Sequence, residues 1–128
     1  MMLVRGVRGA TTVAENDAEM IVAAAAELMQ AIIAANEIEE AHVASVFFTS
    51  TPDLTAAYPA KGARIAGWQQ TALMGMQEID NPNGLPRCIR VLIHWNTEKT
   101  PDELVHVYLH GTESLRPDFA AHKQVRVE

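Results

Sequence analysis

Two arginines set in apolar segments, together with the carboxylate of Glu78, are the side chains best suited to chemistry. Arg90 sits within Cys88–Trp95, Arg8 within Leu3–Val13, and Glu78 follows the apolar run Leu73–Met76. In a strand, side chains two apart share a face, so Arg8 lies with Gly6, Ala10 and Thr12 while Arg5 points the other way. Arg90 likewise shares a face with Cys88, Leu92 and His94, which leaves Ile89, Val91, Ile93 and Trp95 for a core. A guanidinium cannot shed its charge, so each arginine must meet water, a carboxylate or a bound anion. Glu78, acceptor-only when ionised, can neutralise an arginine or take a hydrogen bond from a ligand hydroxyl. Lys61 and Arg64, three apart on a predicted helix, form one cationic patch. Residue types and spacing alone leave structural ion pairs, solvated charges and an anion site all open.

Other chemistries find less support. His106 and His110 are four apart on a predicted last helix, a spacing suited to a metal, but Val107 stands where a metalloprotease motif requires glutamate, and no metal is expected. Cys88 lies in an apolar strand, where inert packing is the ordinary fate of a thiol. Dinucleotide-binding, phosphate-loop, HExxH, GxSxG and paired CxxC signatures are all missing, so no cofactor is expected. At 128 residues, 48% of them hydrophobic, the chain suits a single domain spanning 1–128 that needs no disulfide or structural metal. The single cysteine, the lack of a leading signal segment and of an apolar run near the length of a membrane span imply a cytoplasmic protein. A net charge of -6 argues against nucleic acid and against an anionic membrane as partners, so any anionic ligand must be held locally.

The elements that must position these residues follow from pattern. Leu3–Val13 reads as a strand in which Gly6 and Gly9 mark close approach of backbone or ligand. A long helix is predicted over Asn16–Asn36, with Asn16 and Glu19 as a capping box. His42–Ser50 reads as a strand closed by the turn Thr51-Pro52-Asp53, and Leu54–Ala66 as a helix that admits Pro59 near its first turn or at a kink. Thr71–Glu78 and Cys88–Trp95 are strands joined by the turn Asn81-Pro82-Asn83-Gly84. Thr100-Pro101-Asp102-Glu103 then opens a helix to about Leu109, which Gly111 stops. From Thr112 the tail is polar, with Leu115-Arg116-Pro117-Asp118 its distinctive group. This order implies an α/β or α+β domain in which helices cover a mixed sheet.

The string Val4-Arg5-Gly6-Val7-Arg8-Gly9-Ala10-Thr11-Thr12-Val13 resembles the start of the small monofunctional, trimeric chorismate mutases of bacteria. Thr51-Pro52-Asp53-Leu54, Pro59-Ala60-Lys61, Gly67-Trp68-Gln69, Met76-Gln77-Glu78, Arg87-Cys88-Ile89-Arg90-Val91, His106-Val107-Tyr108-Leu109 and Leu115-Arg116-Pro117-Asp118 continue the likeness in order. The resemblance implies a homotrimeric pseudo-barrel with three active sites at subunit interfaces. It also implies a cofactor-free Claisen rearrangement of chorismate to prephenate, on the route to phenylalanine and tyrosine. Such a unimolecular step needs a compact reactive conformer and charge placed where the transition state develops it, with no nucleophile or general base. The two carboxylates of chorismate would give the scattered cations of an acidic protein a reason to converge.

Carried over by motif, Arg90 would hydrogen-bond the ether oxygen and a carboxylate, Arg8 and Tyr108 would orient a carboxylate, and Glu78 would accept from the ring hydroxyl. Tyr58, Lys61, Arg64, Gly75, Leu115 and Arg116 would line or close the pocket. Two positions depart from the family pattern. Gly75 stands where a cysteine is frequent, and Tyr58 where phenylalanine is common. A non-catalytic trimeric protein that binds a small dicarboxylate, and an imine deaminase of the similar trimeric barrels, are the rival readings.

Overall fold

A computed structural model describes residues 1–120; the remainder of the tail, 121–128, lies outside the described residues. Five strands form one mixed sheet: β1 (Leu3–Thr12), β2 (Val43–Ser50), β3 (Leu73–Gln77), β4 (Cys88–Thr97) and β5 (Val107–Tyr108). Their spatial order is β3-β2-β4-β1-β5. Central β4 runs antiparallel to both β1 and β2, while β3 joins β2, and β5 joins β1, in parallel. Helices α1 (Ala18–Asn36) and α2 (Ala60–Ile65) pack on one face, and a last turn of helix, α3, spans Pro117–Ala120.

The period-2 pattern of β4 decides which face is core. Ile89, Val91, Ile93 and Trp95 are buried beneath the helices, together with Val7, Val46 and Phe48 from the flanking strands and Ile21, Leu28, Met29 and Ile32 from α1. Gly9 lets α1 come this close, since a Cβ there would lie 2.6 Å from Ile32 Cδ1 and 3.1 Å from the Val107 carbonyl oxygen. Gly62 does the same between helices, where a Cβ would meet Ala26 N at 2.5 Å. The opposite face carries Arg8, Ala10, Phe47, Thr49, Arg90, Leu92 and His94, and neither α1 nor α2 lies over it.

Several sequence expectations are corrected. The helix predicted from Thr100 to Leu109 shrinks to a single 3-10 turn, Pro101–Glu103, and Leu104 is already extended. The cause is a distant partner. Buried Asn36 at the end of α1 accepts from Val105 N at 2.8 Å and donates to the Val105 carbonyl at 2.9 Å, which commits that backbone before a helix can use it. The chain then adds to the sheet as β5, so His106 and His110 share no helix. His106 Nδ1 instead accepts from the Arg8 backbone N–H at 2.9 Å, and His110 Nε2 lies 2.8 Å from Glu27 Oε1.

Helix α2 starts at Ala60, not at Leu54. The Asn16 carboxamide accepts from Thr55 N and Ala56 N, which holds the preceding segment out of helix, and Pro59 disfavours helix at Tyr58. Because Asn16 is so engaged, the cap of α1 is Asp17, whose carboxylate accepts from Met20 N at 3.0 Å. The turn at 81–84 connects β3 to β4 without pairing them, since both edges of β4 are taken by β1 and β2. Finally, an 18-residue window of the 19-residue α1 has a mean hydropathy of 1.6, long and apolar enough by length and composition to cross a membrane, contrary to the expectation that no such run exists. Here its buried side, including Ile21, Ala25, Leu28 and Ile32, packs the sheet.

Candidate active site

Register brings four of the expected site residues to the face that α1 and α2 leave uncovered. Ala10 of β1 pairs with Arg90 on one side and with Tyr108 on the other, Arg8 lies two residues back along β1, and Glu78 continues the Met74, Met76 face of β3. Between β3 and β4 runs β2, where Thr49 pairs with both Met76 and Arg90. Glu78 is anchored by its own backbone, whose N–H donates to the Ser50 carbonyl at 2.9 Å.

The charges are arranged asymmetrically. Arg90 Nη2 donates to Glu78 Oε2 at 3.0 Å, and the Thr49 hydroxyl donates to Glu78 Oε1. Arg90 Nε lies 3.0 Å from Oε1 but is not aligned to donate to it, and is buried with no hydrogen-bond partner among the described residues. Tyr108 Oη is in the same condition. Burial raises the Tyr108 phenol above its ordinary pKa despite the opposing pull of Arg8, Arg116 and Arg90, so its hydroxyl stays a neutral donor. Two buried donors with nothing to donate to, on one face and in a cationic field, suit an anionic ligand. Buried polar atoms are otherwise nearly always paired.

A cleft of about 590 Å³ opens beside this group, lined by Glu78 and Arg90 together with Thr51, Asp53, Cys88 and Leu115. A second, of about 490 Å³, holds Tyr58, Lys61 and Gly75 with Phe48, Leu54 and Met76. Gly75 pairs with core residue Phe48, so it points to the helix side of the sheet, and a Cβ there would meet nothing within 4 Å. The expected site residues thus divide between two clefts, the second of which lies at the edge strand β3 and takes in Gly75 of the helix side and Met76 of the Arg90 side. Arg64 is exposed on α2 and belongs to neither lining. Leu115 packs against Tyr108 and Ala10, and Arg116 is bound through Nε and Nη2 to Asp118 at 3.0 and 2.8 Å.

Cys88 is no nucleophile here, because burial pushes its thiol up to about 11 in spite of nearby Arg90. Sequence reasoning missed the clamp that starts β4. Thr51 Oγ1 accepts from Cys88 N at 2.9 Å while Thr51 N donates to the Cys88 carbonyl at 3.0 Å, and Asp53 Oδ2 accepts from Arg87 N at 2.9 Å, where Arg87 holds a left-handed φ of 47°. Burial would raise the Asp53 pKa, but the Thr51 hydroxyl and Arg87 N–H outweigh it and hold the carboxyl below its usual value. Thr51-Pro52-Asp53 signals a turn in sequence; that it grips β4 requires knowing which strand lies beside it. Thr49 was missed for the same reason.

Known proteins match the chain in sequence and in fold. The sequence pattern of the family Chorismate mutase type I matches residues 4–119. The chain is 45% identical over 118 residues to Chorismate mutase AroH of Thermus thermophilus, covering 91% of this chain and 97% of that protein. It is 39% identical over 127 residues to Chorismate mutase AroH of Bacillus subtilis (strain 168), covering 98% and 100%. The solved structure of chorismate mutase from Clostridium thermocellum Cth-682 superposes with a TM-score of 0.84 at 48% identity, over 87% of this chain and 99% of that one. With a match of this extent in sequence and fold, the chain belongs to the type I chorismate mutases.

Proposed function

We propose how this chain works as a chorismate mutase, an isomerase that rearranges chorismate to prephenate for phenylalanine and tyrosine biosynthesis. One observation carries the proposal: Arg90 Nε is buried beside the Glu78 carboxylate, and among the described residues its N–H has no aligned acceptor. As the ether C–O bond lengthens, negative charge grows on its oxygen, and a preorganised donor there stabilises the transition state more than the ground state. Arg90 fills that role, with Glu78 fixing its plane and accepting from the ring hydroxyl. Arg8 and Tyr108 hold a substrate carboxylate, the latter through its unpartnered hydroxyl. Holding both ends of the molecule compact supplies the remaining orientation. No metal or cofactor is required by these steps.

A second part of the proposal concerns assembly. Tyr58, Lys61 and Gly75 line a cleft separate from that of Arg90, so we assign them, with Arg64, to a site completed by the Arg90 face of a neighbouring copy. Leu115 and Arg116 then border the Arg90 side. The homotrimer is supported by the uncovered sheet face, where Phe47 and Leu92 are half-buried and Met74, Met76 and Val4 exposed. We take residues 1–128 as one catalytic domain that works in the cytoplasm, with chorismate as its small-molecule partner.

The test is to mix the purified protein with chorismate in the presence of a chelator, follow loss of diene absorbance, and convert the product with acid to phenylpyruvate. Rapid turnover is expected. Tight binding of chorismate without turnover would leave only the dicarboxylate-binding reading. Dilution below the trimer dissociation range should abolish activity in step with assembly, and a fully active monomer would refute the shared site.

A further inference from the structure

Thr49 has no role in the assignments above, yet it touches the centre of the site. Its hydroxyl donates to Glu78 Oε1, the oxygen that lies 3.0 Å from Arg90 Nε, and its strand pairs with those of both partners. A free carboxylate beside a guanidinium takes two parallel N–H donors, the arrangement of lowest energy for such a pair. Here that arrangement is half made. Oε2 receives Nη2 at 3.0 Å, whereas Oε1 accepts from the Thr49 hydroxyl and, though 3.0 Å from Nε, stands out of line with its N–H.

We propose that Thr49 is a positioning residue that keeps Arg90 Nε unspent by occupying Glu78 Oε1, so that the donor is available to the ether oxygen of the substrate. This rests on the role given to Arg90 above. Removal of the hydroxyl lets Glu78 rotate into a bidentate pair with Arg90, and the substrate must then compete with a carboxylate for the donor. Since the contact with the ether oxygen strengthens in the transition state, the loss falls on kcat more than on KM. The backbone of Glu78 is held separately through Ser50, so the carboxylate can turn without moving its strand.

Thr49→Val keeps the branched shape and removes the hydroxyl, and Thr49→Ser keeps the hydroxyl and removes a methyl. Thr49→Val is expected to lower kcat about tenfold, the scale of one hydrogen bond to a charged group, with KM within about twofold of the parent. Thr49→Ser should retain kcat within about twofold, and in the unliganded protein the Arg90 Nε–H proton resonance should move downfield in Thr49→Val alone. A Thr49→Val enzyme with parental kcat, a fall of equal size in Thr49→Ser, or a change confined to KM would each overturn the proposal. Parental enzyme inactive on chorismate would instead sink the assigned reaction, while the Arg90 resonance would still report whether Thr49 sets the Glu78 carboxylate.

Discussion

The two faces of β4 carry unlike side chains and have opposite fates. Ile89, Val91, Ile93 and Trp95 lie under α1 and α2, and the chain satisfies that face by itself. Cys88, Leu92 and His94, with Phe47 beside them, lie under neither α1 nor α2, and among them stands Arg90, whose Nε has no aligned acceptor among the described residues. The difference separates two tasks within one strand. Close packing fixes where the backbone is, to the precision that interiors allow, and the other face is then free to hold groups whose partners come from outside. Substitutions one residue apart should therefore have unlike consequences.

The largest effect belongs to Arg90→Ala, which should lower kcat/KM on the order of a thousandfold while leaving the thermal midpoint nearly unmoved. Arg90→Lys should also be poor, because a point charge cannot replace the planar fork, and full activity in steady-state assays would show that charge alone is enough. Ile93→Ala, three residues further on, should lose about 2–5 kcal/mol in urea unfolding, with the site chemistry intact in whatever fraction stays folded. If its cost proves below about 1 kcal/mol, the helix-side face is not the core described here.

Leu92→Ala should change unfolding of the isolated chain by less than Ile93→Ala, yet raise the concentration at which sedimentation shows the proposed trimer to dissociate. Equal effects of the two substitutions on stability, with unchanged assembly, would erase the contrast between the faces. The smallest effect is electrostatic. Asp53 has its pKa depressed in the fold, so its contribution is present above the unfolded value of about 3.9 and is lost as pH falls through the folded one. Asp53→Asn should accordingly flatten the acid limb of a stability-against-pH curve and leave stability at pH 5–8 without added slope.

How much of this could be read from the sequence depends on the range of the determining contact. The alternation in Cys88–Trp95 is local, and it correctly divided Arg90 from the core residues before any partner was known. The first strand, the long helix and Glu78 beside an arginine were legible for similar reasons. The helix expected over 100–109 failed because Asn36, 69 residues away, holds the Val105 backbone and overrides a good local start signal. Thr49 and Asp53 escaped notice because neither has a meaning until the order β3-β2-β4 is known, and a parallel β2–β3 pair cannot be told from a hairpin by turn residues alone. Gly62 gave no sign either; only the 2.5 Å clearance to α1 shows why an alanine there would not fit.

The central place of β4 also governs the order in which the molecule can form. It stands between β1 and β2 in the sheet but follows both in the chain, so during synthesis β1 has nothing to pair with until Thr97 has left the ribosome. Until then Val7 has no neighbouring strand and the apolar side of α1 has only the β2–β3 pair and α2 to close against, so nascent chains present a sticky surface for much of their elongation. Folding must wait for about three-quarters of the protein and then proceed through ladders of high sequence separation, the slow class of topology. A pause in translation shortly before β4 would therefore lengthen the most aggregation-prone stage of this protein's life, whereas the same pause after Thr97 would be harmless.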